Sequence, residues 1–128
     1  MLKKEELTET FFEYFDLYRF DSPDERGSHI HMDTDFLNRL ADARYNAGTP
    51  FVISSGYRSP DHNERVGGVR GSSHTLGLAV DIKCTNSTQR MEIVNHLLAQ
   101  GFTRIGISKS FIHVDADLTK PQDVMWTY

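Results

Sequence analysis

The sequence predicts a fold that mixes helices and strands, and three observations carry that reading. Apolar residues recur at helical spacing in Leu7–Phe20, in Thr34–Asn46, and from Asn86 or Ser87 to Ala99. Short runs rich in β-branched and aromatic residues stand at Phe51–Ser55, Leu78–Ile82, Arg104–Ile107 and Phe111–Asp115. The last two runs are separated only by Ser108-Lys109-Ser110, which predicts an antiparallel hairpin.

In chain order, Leu7, Phe11, Phe15 and Tyr18 fall on one helical face, so Leu7–Phe20 reads as a short amphipathic helix packed on the core. Asp21–His31 is polar, with Ser22-Pro23-Asp24 and Gly27-Ser28. It reads as a loop that leaves His29 and His31 in solvent. Asp33 suits the N-cap of the next helix, whose spacing is set by Phe36, Leu37, Leu40, Ala41 and Arg44 and which Gly48 ends. After the strand at Phe51–Ser55, Gly56 makes a bend and Ser59-Pro60 opens a helical turn to Arg65, in which His62 has a structural role.

Val66–Ser73 is a glycine-rich loop. It lacks the Gly-Lys-Ser/Thr ending of a phosphate loop and leads into a strand, which favours a substrate-lining loop. The helix ending at Ala99 is expected to turn Met91, Val94, Leu97 and Leu98 inward and His96 outward, with Gly101 as its stop. The tail from Leu118, with Pro121, Trp126 and Tyr128, is expected to be irregular.

Composition narrows the function classes. A chain of 128 residues is expected to form one domain, 1–128, with a real core. The formal net charge of -4 provides no basic footprint for nucleic acid and no strong attraction to anionic polymers. The single cysteine, Cys84, excludes an internal disulfide and reads as a small buried thiol. The start, Met-Leu-Lys-Lys-Glu-Glu-Leu, has no apolar core of a secretory signal, and no run reaches membrane-spanning length. These features lead to the expectation of a monomer made in the cytoplasm, with neither nucleic acid nor membrane as partner.

The chemistry is concentrated in two blocks. His74 and Asp81 stand in Ser72-Ser73-His74-Thr75-Leu76-Gly77-Leu78-Ala79-Val80-Asp81-Ile82, and His113 stands in Ser110-Phe111-Ile112-His113-Val114-Asp115. Two imidazoles and one carboxylate form a typical ligand set for a catalytic zinc. Gly77 permits a tight turn or close backbone approach before the strand, so His74 can sit in a loop while Asp81 projects from the strand. On the hairpin, His113 takes an inner sheet position.

These blocks, together with Ser55-Gly56-Tyr57-Arg58-Ser59-Pro60, resemble the zinc D-alanyl-D-alanine carboxypeptidase family, kin to vancomycin-resistance dipeptidases, phage endolysin peptidases and the Hedgehog amino-terminal domain. The resemblance runs from about Phe20 to Asp117. It implies an α+β fold with a central, mainly antiparallel sheet flanked by helices, one Zn2+, and cleavage of peptidoglycan stem peptides. It implies zinc ligands at His74, Asp81 and His113, a substrate-carboxylate clamp at Arg58, and Ser72 in the same pocket.

One departure matters. Relatives often carry a Glu three residues, or a His two residues, before the last ligand, whereas this chain has Ser110 and Phe111. Asp115 is the nearest ionisable replacement as general base, and it stands equally as the residue that orients His113. The expected function is therefore a zinc peptidase, either a D,D-carboxypeptidase or an endopeptidase of the phage endolysin type. The alternative is a non-catalytic zinc-binding module of the same fold.

Overall fold

The computed structural model describes residues 1–128 and is built on one five-stranded sheet. Its strands are β1 (Ile53–Ser55), β2 (Ala79–Lys83), β3 (Arg104–Ile107), β4 (Phe111–Asp115) and β5 (Val124–Thr127), in the order β1-β2-β4-β3-β5. The β1–β2, β2–β4 and β3–β4 ladders are antiparallel, and β3–β5 is parallel. The fold is α+β with a mainly antiparallel sheet, as the sequence leads one to expect. The Ser108–Ser110 turn closes the β3–β4 hairpin.

Side chains alternate between the two faces of a strand. Val80 and Ile82 of β2, Ile105 of β3, and Ile112 and Val114 of β4 face the core and are fully buried or nearly so. Helix α2 (Thr34–Ala47) covers them with Phe36, Leu37, Leu40 and Ala41, and helix α4 (Ser87–Ala99) adds Ile93 and Leu97. Asp33 caps α2 by accepting from Phe36 N at 2.9 Å, and Asn86 caps α4 in the same way through Gln89 N. The short helix α3 (Pro60–Arg65) begins at Ser59, whose hydroxyl accepts from His62 N.

Three expectations are corrected. The amino-terminal helix α1 runs only from Glu9 to Tyr14, followed by an extended Phe15 and a 3-10 turn at Leu17–Phe20. The break brings Phe11, Phe15 and Phe20 into one buried cluster with ring centroids 5.6–5.9 Å apart and leaves Tyr18 exposed. In α4, Met91 and Leu98 are exposed, because the buried stripe is set by Ile93 and Leu97 one turn apart. The tail is not irregular throughout, since β5 pairs with β3 along its whole length.

Candidate metal centre and its cleft

The opposite face of the sheet carries the polar residues. Cross-strand pairing aligns Ser55, Asp81, His113, Gly106 and Trp126 in one row across all five strands. The neighbouring row on the same face contains Ala79, Asp115, Arg104 and Val124. Two carboxylates, an imidazole and a guanidinium thus share one face through strand periodicity alone. His74 reaches the row from a 3-10 turn, Ser73–Leu76, that leads into β2. Gly77 ends this turn at φ +71°, and a Cβ there would collide with the His31 backbone, so both the turn and its docking require glycine.

His74, Asp81 and His113 are all buried, and their ligand atoms lie within 4.8 Å of one another. Asp81 Oδ1 is 3.3 Å from His74 Nε2 and 3.1 Å from His113 Nδ1. The other nitrogen of each ring is already used. His74 Nδ1 is 2.8 Å from the Gly56 carbonyl, and His113 Nε2 is 2.7 Å from Asp115 Oδ2. Without a metal the inner nitrogens donate to Asp81; a metal ion in place of those protons would find each ring already oriented by its outer nitrogen, the arrangement that holds metal-bound histidines. The donor set fits a zinc: two imidazoles and a carboxylate, each held from behind.

The titration behaviour follows from the same contacts. Burial opposes ionisation of Asp81, but hydrogen bonds from His113 and His74 outweigh it and hold the carboxyl well below the usual carboxylate range. Burial pulls the His113 pKa down, while Asp115 and Asp81 push it up more strongly. Burial would likewise raise Asp115, yet the donors His113, Asp117 N and Arg104 keep it ionised below its ordinary value.

Arg58 stands beside the cluster. Its Nε donates to Ser55 Oγ at 3.1 Å, Nη1 to Asn63 Oδ1 at 3.3 Å and Nη2 to Asp81 Oδ2 at 3.2 Å. Ser72 is buried in the same cleft wall, and its Oγ accepts from His74 N at 3.2 Å, capping the turn that presents the histidine. Asp115 is enclosed. Besides His113, its carboxylate accepts from Arg104 Nε at 2.7 Å and from Asp117 N at 3.1 Å.

The sequence pattern of the family described as Peptidase M15 matches residues 12–115. The chain belongs to that family. No curated protein matches it. The family assignment makes the chain a member of a peptidase family, and the buried His–Asp–His cluster agrees with the metallopeptidase character of M15 proteins.

In this M15 protein the cluster opens into a cleft of about 330 Å³, lined on one side by Arg58 and the Gly67–Val69 loop and on the other by Phe111, Trp126 and Tyr128. Arg104 and Lys120 also reach it. Sequence reasoning missed Arg104, Lys120, Trp126 and Tyr128. Arg104 was the findable one: it is a lone charge in an apolar strand, and the hairpin register places it opposite Asp115. The other histidines lie outside the cluster. His29 Nδ1 is 2.7 Å from Asp21 Oδ1, His31 stacks on Tyr57, and His96 Nδ1 is 2.7 Å from the Glu92 carbonyl. His29 and His31 are thus half-buried rather than free in solvent. Cys84 is buried, with its thiol on the Asn86 carbonyl. No helix is long and apolar enough to cross a membrane.

Proposed function

We propose that the chain is a zinc peptidase that hydrolyses peptide bonds in peptidoglycan stem peptides, acting as a carboxypeptidase or endopeptidase of the phage endolysin type. The observation that carries the reading is the convergence of His74 Nε2, Asp81 Oδ1 and His113 Nδ1 in a cleft beside a fixed arginine. A zinc held by these three residues would supply Lewis-acid polarisation of the scissile carbonyl and a nucleophile at neutral pH.

The chain's own groups do the positioning. A guanidinium carries five N–H bonds. Arg58 commits three of them to Ser55, Asn63 and Asp81, which leaves one on each terminal nitrogen. That pair is what a bidentate carboxylate needs, so Arg58 anchors a substrate carboxylate and holds the reacting bond near the cluster. Asp115 acts through His113. Its engaged carboxylate accepts the hydrogen bond from His113 Nε2 and keeps Nδ1 turned inward.

One observation favours a second reading, a non-catalytic zinc-binding module. The two carboxylates that line the cleft, Asp81 and Asp115, are both engaged, and Ser110 and Phe111 offer no base. Mass spectrometry of purified peptidoglycan after treatment with the zinc-loaded protein separates the two. A peptidase releases fragments cut at one defined stem-peptide bond, which also identifies that bond. Fragments unchanged from the untreated control support the binding module.

A further inference from the structure

We propose that Trp126 and Tyr128 form the subsite for the acyl half of the substrate, the residues on the amino side of the scissile bond. Both lie beyond the segment that matches the family, which ends at residue 115. The inference rests on Arg58 as the carboxylate anchor.

In the cross-strand row, Arg58 is tied to Ser55 at the β1 end, the ligand residues Asp81 and His113 occupy the middle, and Trp126 stands at the β5 end. A peptide held by its carboxylate at Arg58, with its reacting bond at the cluster, directs its amino-side residues toward β5. What it meets there is aromatic. The Trp126 ring centroid is 5.5 Å from that of His113, and the Tyr128 ring packs on Phe111 at 5.0 Å. The Arg104 guanidinium lies 5.0 Å from the Trp126 ring centre and steadies it.

Gly106, paired with Trp126, leaves the room for this wall. A Cβ on Gly106 would lie 2.7 Å from Trp126 Nε1 and 2.9 Å from Tyr128 Cε2. Trp126 is only half-buried and Tyr128 is exposed, so the rings keep surface for a ligand. Such a wall takes the methyl and methylene surface of amino-acid side chains.

Length then makes the site selective. The wall begins beside His113 and runs away from Arg58 toward β5. An extended dipeptide spans only about 7 Å. Anchored at Arg58, it puts a single residue on the amino side of the reacting bond, whereas a longer stem peptide lays several residues along the wall.

Trp126 is the sole tryptophan of the chain, so its emission reports on the wall directly. The zinc-loaded protein would be mixed rapidly with a stem pentapeptide and with the same peptide shortened from its amino end. The full peptide is expected to change the emission saturably and the shortened one to leave it nearly unaltered, with kcat/KM for the shortened peptide lower by about 10-fold. Tyr128→Ala should narrow that difference by slowing the long peptide alone, with zinc content unchanged, and Tyr128→Phe should restore it. Emission that stays constant while the long peptide is turned over would overturn the proposal. So would equal slowing of both peptides in Tyr128→Ala. Failure of the underlying functional reading shows separately, as wild-type protein that cleaves neither peptide.

Discussion

Asp81 and His113 are direct cross-strand partners in the β2–β4 ladder, with Asp81 Oδ1 3.1 Å from His113 Nδ1. Two members of the candidate metal cluster, 32 positions apart in sequence, are thereby fixed by backbone hydrogen bonds rather than by loop conformation. Sites built on strands hold their geometry better than sites on loops. Only His74 comes from a turn, and that turn is capped by Ser72 and closed by Gly77.

In the proposed reading Arg58 has two tasks, since the guanidinium that would anchor substrate also holds Asp81. Arg58→Lys keeps the charge and loses the fork. It should reduce kcat/KM on stem peptides by on the order of 10- to 100-fold, with zinc retained and a melting temperature a little lower. Unaltered kinetics would assign Arg58 to structure alone.

Asp115→Asn separates positioning from base catalysis. Asp115 holds both His113 and the buried Arg104, so in the proposed reading it serves metal affinity as well as the fold. The variant should bind zinc about 10- to 100-fold more weakly in a competitive chelator titration and should melt earlier. Full zinc affinity with turnover reduced by about 10²–10⁴ would identify Asp115 as the base instead.

Asp117 links the tail to the loop that carries His74. It accepts from Ser73 Oγ at 2.7 Å and from Thr119 through both N and Oγ1. Burial opposes its ionisation, yet the Thr119 and Ser73 hydroxyls, with Lys120 nearby, lower its pKa to about 2. A carboxyl lowered on folding contributes stability that is complete above its unfolded pKa and is lost as pH falls through the folded one. Asp117 should therefore contribute a loss on the order of 2 kcal/mol between about pH 5 and pH 2 to the urea-denaturation profile, on top of the losses from Asp81 and Asp115. Asp117→Asn should flatten that part of the profile, and an unchanged slope would contradict the assignment.

Gly106→Ala tests the packing of β5. The added methyl meets the Trp126 indole at 2.7 Å, so the rings, or the strand that carries them, must shift. Overpacking of this kind costs about 1–3 kcal/mol. A red shift of the Trp126 emission should accompany the loss, whereas wild-type emission and stability would show that the tail already moves freely.

Much of this arrangement was legible in the sequence because it is local. The caps Asp33 and Asn86, the stop at Gly48 and the hairpin around Ser108–Ser110 depend on neighbours a few residues away. The alternation in Phe111–Asp115 placed His113 and Asp115 on one face without reference to the rest of the chain. What escaped depends on distant partners. Phe15 is extended because three phenylalanine rings meet there, a tertiary preference that overrides helical spacing. Strand β5 is four residues long and pairs in parallel with β3, so no hairpin turn announces it. With β5 unseen, the aromatic side of the cleft was unseen too.

The central claim is that His74, Asp81 and His113 together hold one zinc. The most direct measurement is the metal content of purified protein by mass spectrometry, comparing the wild type with His113→Ala after equilibration with zinc and removal of the excess. The account predicts one equivalent of zinc in the wild type and a substoichiometric amount in the variant, with both proteins folded. A folded variant that keeps a full equivalent at the same affinity, or a folded wild type that binds none, would contradict it.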